Sequence, residues 1–325
     1  MSMSAKEEHI HRHRSASTTP PATMATKTLN SPIVRTVVAS VQRLYPLALA
    51  DKSWDNTGLL LESPHRSDLA AGRPRKHIVL LTIDLTRSVV DEAIALRSSV
   101  IVTYHPIIFR PLRSLTFTDP QQESLLRLAQ EGISVYSPHT AVDAVIGGVN
   151  DWLADGISGE IGEQKRMATV IQKVENAPEG FEESGMGRIV TLKQPVELQV
   201  LVERVKKFLG LERLMVADGT NGRKIEKIAL CAGSGGSLFR GLDVDLFFTG
   251  ELSHHEALSA RERGISVVTC FHSNTERGFL NAIMKPKLSE VLAEEWAKVT
   301  KDEAAGKEGI EVVVSRNDRD PYQIV

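Results

Sequence analysis

Cysteine is scarce in this chain: only Cys231 and Cys270 occur in 325 residues. Two thiols exclude a disulfide scaffold and point to a reducing compartment. Long apolar runs are missing too. No stretch approaches the roughly 18 residues that a membrane span requires, so no membrane partner is expected. Net charge is nearly absent: 39 Lys and Arg against 41 Asp and Glu leave −2 at pH 7. That balance gives no electrostatic reason to expect direct binding of nucleic acid. Enzyme signature loops are lacking as well. The glycine-rich run at 232–236 has neither the Gly-Lys-Ser/Thr ending of a P-loop nor the spacing of a dinucleotide fingerprint. GSGGS at 233–237 does not make a nucleophile elbow, because it lacks the strand–turn–helix context.

What is present is an ordinary globular composition, 42% hydrophobic and 25% charged, with length enough for one or two domains. Residues 1–30 are polar, carry Pro20-Pro21 and show no apolar period, which predicts a disordered tail. His9, His11 and His13 in that tail read as incidental, and Glu7 and Glu8 argue against a transit peptide. Ser31-Pro32 opens a helix with an apolar face at Val34, Val37, Val38, Val41 and Leu44. Strands are predicted at 78–84, 100–103 and 133–137. They alternate with helices at 88–96 and from Pro120 to Gly132, where Asp119 caps the helix and Gln122 closes a capping box. The stretch from about Gly156 to Gly187 reads as a connection between two halves. Beyond it come strands at 189–192, 228–231, 246–248, 267–269 and 312–314. Helices are predicted at 196–209 and 254–263, and Thr275 is a candidate cap for a last one running past Leu292. Such alternation implies α/β lobes with mainly parallel sheets covered by helices. The expected division is a first lobe at 31–160 and a second at 161–325, with the C-terminal segment able to pack back on the first.

Three apolar, β-branched runs end in a histidine. IVTYHPIIF at 101–109 ends at His105, where Pro106 forbids a central strand from continuing. ISVYSPHT at 133–140 ends at His139, and ISVVTCFHS at 265–273 ends at His272. Open α/β sheets form their sites beyond the carboxyl ends of strands. Asp143 and Glu276 each follow one of these histidines by four residues. Imidazole and carboxylate together suit a hydrolytic divalent metal such as Zn, Fe, Mn or Co. For each pair taken singly, the plainer reading is two neighbours on a helix surface. Cys270 is a conceivable soft ligand, but strand alternation points it away from His272.

Other stretches leave alternatives open. The Trp54-Asp55-Asn56-Thr57-Gly58 loop is either a plain turn or the lining of a pocket. TGELSHH at 249–255 places His254 and His255 about 100° apart on a helix, so at most one faces a given ion and the other is free to hold a ligand or a reacting water. The glycine run after Cys231 is a tight turn or, less simply, a phosphate cradle.

Six ordered stretches carry a resemblance: WDNTGLLLES at 54–63, VTYHPIIF at 102–109, SPHTAVD at 137–143, AGSGGS at 232–237, FFTGELSHHEAL at 247–258 and FHSNTERGFL at 271–280. Together they resemble the Ngg1-interacting factor three-like family, also labelled GTP cyclohydrolase I type 2-like, over roughly residues 31–325. The resemblance implies two similar α/β lobes with a dinuclear metal centre in the cleft between them, often in toroidal homohexamers. By motif, the implied ligands are His105, Asp143, His272 and Glu276, with His139 beside them and His254 or His255 near. Many members carry His-His-Pro where this chain has Tyr104-His105-Pro106. Tyr104 can ligate only as a phenolate, which a metal would have to draw out. The expectation is therefore one or two divalent ions per chain, and a cytoplasmic homo-oligomer with a mitochondrial or nuclear pool. The activity expected is hydrolysis of a nucleotide-like or phosphorylated small molecule, with His139, His254 or His255 moving protons. The alternative is a metal-binding regulatory factor that works through a protein partner.

Overall fold

The structure is a computed structural model and describes residues 31–64, 76–159, 167–219, 221–299 and 309–322. The tail expected to be disordered lies outside the described residues. In chain order, α1 (Pro32–Leu44) leads to β1 (Gly58–Leu61) and β2 (His77–Thr82). Then come α2 (Arg87–Ala95), β3 (Val100–Thr103), α3 (Pro120–Glu131), β4 (Ser134–Ser137), α4 (Thr140–Ala144) and α5 (Val149–Ser158). The second half runs through β5 (Met167–Lys173), β6 (Gly185–Val196), α6 (Leu198–Leu209), β7 (Met215–Ala217), β8 (Ile225–Ser234), β9 (Leu246–Glu251), α7 (His254–Glu262) and β10 (Ser266–Thr269). It ends with α8 (Arg277–Phe279), α9 (Lys285–Ala297) and β11 (Ile310–Val314). Between α8 and α9 the helix widens to a π-turn at Leu280–Met284, just before Pro286, which has no N–H to give to the ladder.

The first sheet has the order β1-β4-β3-β2-β11. Its pairings are parallel except at the edge, where β1 runs antiparallel to β4. The second has the order β5-β6-β8-β9-β10-β7 and is mixed. Only β8–β9 and β9–β10 pair in parallel, while β5, β6 and β7 join antiparallel. The strands β2, β3 and β4 thus end along one sheet edge, and β8, β9 and β10 end along one edge of the other.

Side-chain alternation explains why these strands read as unbroken apolar runs. Val79 and Leu81 of β2 enter the large core shared with α1, α5 and α9, whereas Leu80 enters a separate outer core with Val89, Val90 and Leu128 from α2 and α3. In the second sheet Ile228, Leu230, Leu246 and Phe248 face the shared core, and Ala229 and Phe247 face an outer cluster with Ala260 of α7. Both sheets are buried on both faces, which removes the polar alternation of a half-exposed strand.

Several local expectations meet the structure differently. The segment read as a connection holds the end of α5, all of β5 and the start of β6. As an edge strand, β5 leaves Thr169 and Gln172 exposed, and that polarity disguises it. Asp119 does cap α3, accepting from the Gln121 and Gln122 amides, but Gln122 does not complete the box. Its Oε1 accepts from the Thr116 amide at 2.9 Å. The full capping box lies at α7 instead, between Ser253 and Glu256. Thr275 sits in a 3-10 turn and donates to the carbonyl of His272 at 2.6 Å rather than capping a helix. Among the described residues no helix is long and apolar enough to cross a membrane.

The second sheet is tied to α5 by a buried fork. Arg188 of β6, 1% exposed, donates Nε and Nη2 to the two carboxylate oxygens of Asp151 on α5, at 3.0 and 2.6 Å. Its remaining N–H groups reach the carbonyls of Gly185, Gly187 and Val145, so all five guanidinium donors are engaged. Replacing Asp151 by Ala leaves this cation buried without its counter-charge. We expect a loss of about 3–5 kcal/mol of stability, read from the shift of the urea midpoint. A loss below about 1 kcal/mol would show the fork to be dispensable.

Candidate metal centre

His105, His139 and His272 each stand past the end of a parallel strand. After β3 the ladder runs on for two residues, with the Tyr104 and His105 amides donating to Thr82 and Ile83, before Pro106 ends it. This fixes the backbone of His105. Its Nδ1 lies 2.9 Å from Asp84 Oδ1, at the end of β2, and its Nε2 points to Glu276 Oε2 at 3.5 Å. From the other sheet, His272 follows β10 across Phe271, whose φ is +67°. His272 Nδ1 lies 2.9 Å from Glu251 Oε1, at the end of β9, and its Nε2 is 3.4 Å from Glu276 Oε1. Both imidazoles therefore spend Nδ1 on a carboxylate and turn Nε2 toward one shared acid. That is how metal-binding histidines are oriented.

The donor atoms of His105, His272 and Glu276 all lie within 4.8 Å of one another. Glu276 is 2% exposed. Its Oε2 and the Nε2 of His105 are buried without a hydrogen-bond partner. Leaving such atoms unanswered is costly, and a divalent cation between them answers both. The electrostatics agree. Burial works against a charged His105, yet the Glu276 carboxylate and the contact with Asp84 outweigh it and raise its pKa to about 10. The cluster calls for positive charge.

Around this trio lies a polar shell. Tyr104, 2% exposed, donates its hydroxyl to Asp143 Oδ1 at 2.5 Å. Burial, then the charges of Asp143 and Glu276, hold the phenol well above its usual pKa, so Tyr104 is neutral and engaged with Asp143. The Asp143 carboxyl is pushed up to about 6, chiefly by burial, against the pull of His139 and the Tyr104 bond. His139 sits at φ +32°, a strained backbone for a non-glycine residue. Its Nδ1 is held 2.7 Å from Asp55 Oδ1, and the other oxygen of Asp55 accepts from Thr140. The ring centroid of His139 is 5.3 Å from that of His105, which is 5.1 Å from that of His272.

His254 and His255 are exposed on the first turn of α7 and stand edge to face against each other, outside the donor trio. Cys270 is buried with its thiol toward the Thr249 carbonyl at 3.9 Å and is likewise no member of the trio.

Sequence reasoning missed the groups that orient the donors. Asp84 and Glu251 are strand-end acids, and their position at the ends of predicted strands was the available signal. Asp318 had no such signal. Its carboxylate is 7% exposed and accepts from the Ile83 amide at 2.8 Å and from Arg277 at 3.2 Å. Asp320 accepts from Ser273 at 2.7 Å, and Tyr322 stacks on Phe271 at 5.7 Å. The segment after β11 thus straps the end of β2 to the His272 loop.

The glycine run has a use that neither earlier alternative named. Gly233, at φ +63°, ends β8 directly against the donors: a Cβ there would lie 2.6 Å from His272 Nε2 and 3.1 Å from Glu276 Oε1. Its amide donates to Thr275 and its carbonyl accepts from Thr249. Two features work against the phosphate-cradle reading. The Gly233 amide is already spent, and the Glu256 carboxylate occupies the place a Cβ on Gly236 would take.

Comparison with known proteins gives a consistent picture. The profile of the family described as Duf34/NIF3 (NGG1p interacting factor 3) matches residues 32–305. The chain is 49% identical over 286 residues to "Protein NIF3 homolog" of Schizosaccharomyces pombe, covering 86% of this chain and 94% of that one. It is 43% identical over 296 residues to "NGG1-interacting factor 3" of Saccharomyces cerevisiae, covering 89% and 96%. Among solved structures, a Bacillus cereus protein related to NIF3 matches with a TM-score of 0.66 at 21% identity, covering 89% of this chain and 98% of that one. Reduced HcgD from Methanocaldococcus jannaschii matches with 0.63 at 22%, covering 85% and 95%. These two likenesses speak for the fold.

Two alanine substitutions separate packing at the donors from backbone strain alone. Gly233→Ala should remove most of the bound divalent metal measured by elemental analysis. Gly241→Ala, also at positive φ but with open space around it, should cost about 1–2 kcal/mol of stability and leave metal content unchanged. Equal metal loss in both variants would contradict the close approach at Gly233.

Proposed function

The chain belongs to the Duf34/NIF3 family, and from that premise we propose that it is a divalent-metal-dependent hydrolase acting on a nucleotide-like or phosphorylated small molecule. The observation that carries this reading is the pair of buried, unpartnered atoms, His105 Nε2 and Glu276 Oε2, facing each other beside His272. His105, His272 and Glu276 are the residues that would hold the ion. Zn, Fe, Mn and Co all accept this mix of imidazole and carboxylate. Asp143 is the carboxylate available to a second ion, so one or two ions per chain fit the proposal. The chemistry that a divalent ion would supply at these residues is to make water more acidic and so a better nucleophile near neutral pH.

The remaining roles belong to the chain itself. Asp55 fixes His139 through Nδ1 and leaves the other ring nitrogen to accept a proton. Tyr104 orients Asp143 by its short hydrogen bond. Asp84 and Glu251 keep the two ligand rings from rotating. His254 and His255, being exposed beyond Glu251, are suited to exchanging protons with solvent rather than to ligation.

A second reading, a metal-containing factor that works through a protein partner, is favoured by two observations. Leu112, Leu115 and Phe117 stand exposed on the loop that follows His105, and a yeast relative bears the name NGG1-interacting factor 3.

The test uses untagged protein and the double variant His105→Ala/His272→Ala. Wild type should carry one to two divalent ions per chain and release phosphate or open a ring in a screen of nucleotides and phosphorylated compounds. The double variant should lose both properties. Metal-free wild type that cannot be reloaded would overturn the proposal, and full metal without turnover would favour the partner-binding reading.

A further inference from the structure

Trp54 is half exposed, at 51%, yet it is not loose. The indole N–H, its one polar group, donates to Asp51 Oδ2 at 2.8 Å. Asp51 is itself fixed, since it accepts from the amide and the hydroxyl of Ser53 and its own amide donates to Thr140. The loop that carries Trp54 is tied to the loop of His105, because Asn56 donates its side-chain amide to the carbonyl of Ile108. An exposed apolar ring held this firmly is the arrangement of a preorganised contact surface.

Its neighbours say what that surface faces. Phe109, 49% exposed, lies 5.9 Å away at 47°. His139 lies 5.7 Å away at 84°, and its ring is 5.3 Å from that of His105. The contacts of Trp54 with both rings are tilted or edge-on, so neither ring is stacked on the indole. A series of rings thus leads from the exposed Phe109 and Trp54 through His139 to the metal donors.

We propose that Trp54 and Phe109 form an aromatic platform that binds the planar heteroaromatic ring of a phosphorylated ligand, whose phosphate side is turned toward His105 and His272. This deepens the hydrolase reading and rests on it for the position of the phosphate. It narrows the substrate class from phosphorylated compounds in general to those that carry a base. Stacking on an aromatic side chain tolerates any base, since every base presents a π-face. The platform therefore selects for the presence of a ring, not for guanine or adenine.

The probes are adenosine 5′-monophosphate and ribose 5-phosphate, which differ only by the base. Binding is measured by calorimetry on the full chain as purified, together with tryptophan emission. Wild type should bind the mononucleotide about tenfold or more tighter than the sugar phosphate, with quenched emission. In Trp54→Ala the preference should shrink, in Trp54→Ala/Phe109→Ala the two ligands should become equal, and Trp54→Phe should keep the preference and lose the quench. Metal content of Trp54→Ala should match wild type. Equal binding of both probes by wild type would overturn the platform, as would a preference undiminished in Trp54→Ala/Phe109→Ala. Emission that responds to protein dilution but not to the mononucleotide would also overturn it, and would assign the rings to a contact between copies of the chain. A wild type that lacks metal yet prefers the mononucleotide would sink the hydrolase reading and leave the platform standing.

Discussion

A carboxylate taken out of water must be answered by positive charge, and in this molecule that carboxylate is Glu276. It is nearly fully buried, it turns one oxygen to a histidine from each sheet, and one of its oxygens has no hydrogen-bond donor. Everything near it follows from that demand. Both imidazoles are rotated by carboxylates on their far sides, so that Nε2 is the atom offered inward. Glycine is needed at position 233 because the third strand edge passes too close for any side chain. The demand also explains why the two halves meet where they do. Neither sheet holds the donor set alone, and only opposed carboxyl edges bring His105 and His272 to one acid.

The trio and its neighbours differ in how far they can be read from the chain. His105, His139 and His272 were legible because each closes an apolar run, and strand ends are where α/β sheets place chemistry. Glu276 was legible from its spacing to His272. The orienting acids were harder to see. Asp84 and Glu251 carry no local spacing to the histidines they orient, and Asp318 is far along the chain from the Ile83 amide from which it accepts. Arg188 and Asp151 are a similar case: nothing in the local sequence of either distinguishes a buried fork from two surface charges. The alternation of helices and strands predicted the first sheet well. It failed at β5, because an edge strand half in water carries the polarity of a loop. What local pattern cannot express is partnership across the fold, and most of the site's precision lies in such partnerships.

The trio also fixes what sort of chemistry the surroundings can support. A buried Tyr104 donates to Asp143 and orients that acid, while His139 is held by Asp55 at a positive φ. The aromatic rim at Trp54 and Phe109 belongs to the same pair of loops. The exposed rings and His139 are thus held by hydrogen bonds of the same two loops.

The strap after β11 has a kinetic side. Asp318 accepts from Ile83 across 235 positions of sequence, and β11 itself must find β2 at a similar separation. Pairings of that range close late, after the loop entropy between them has been overcome. The first sheet therefore spends its folding with an open edge at β2, and the orientation of Asp84 and the His272 loop is completed only when the strap arrives. A divalent ion held by His105, His272 and Glu276 would then be captured at the end of folding and not in its nucleus. An ion bound so late would raise stability by holding the native state shut, and would slow unfolding more than it hastens folding.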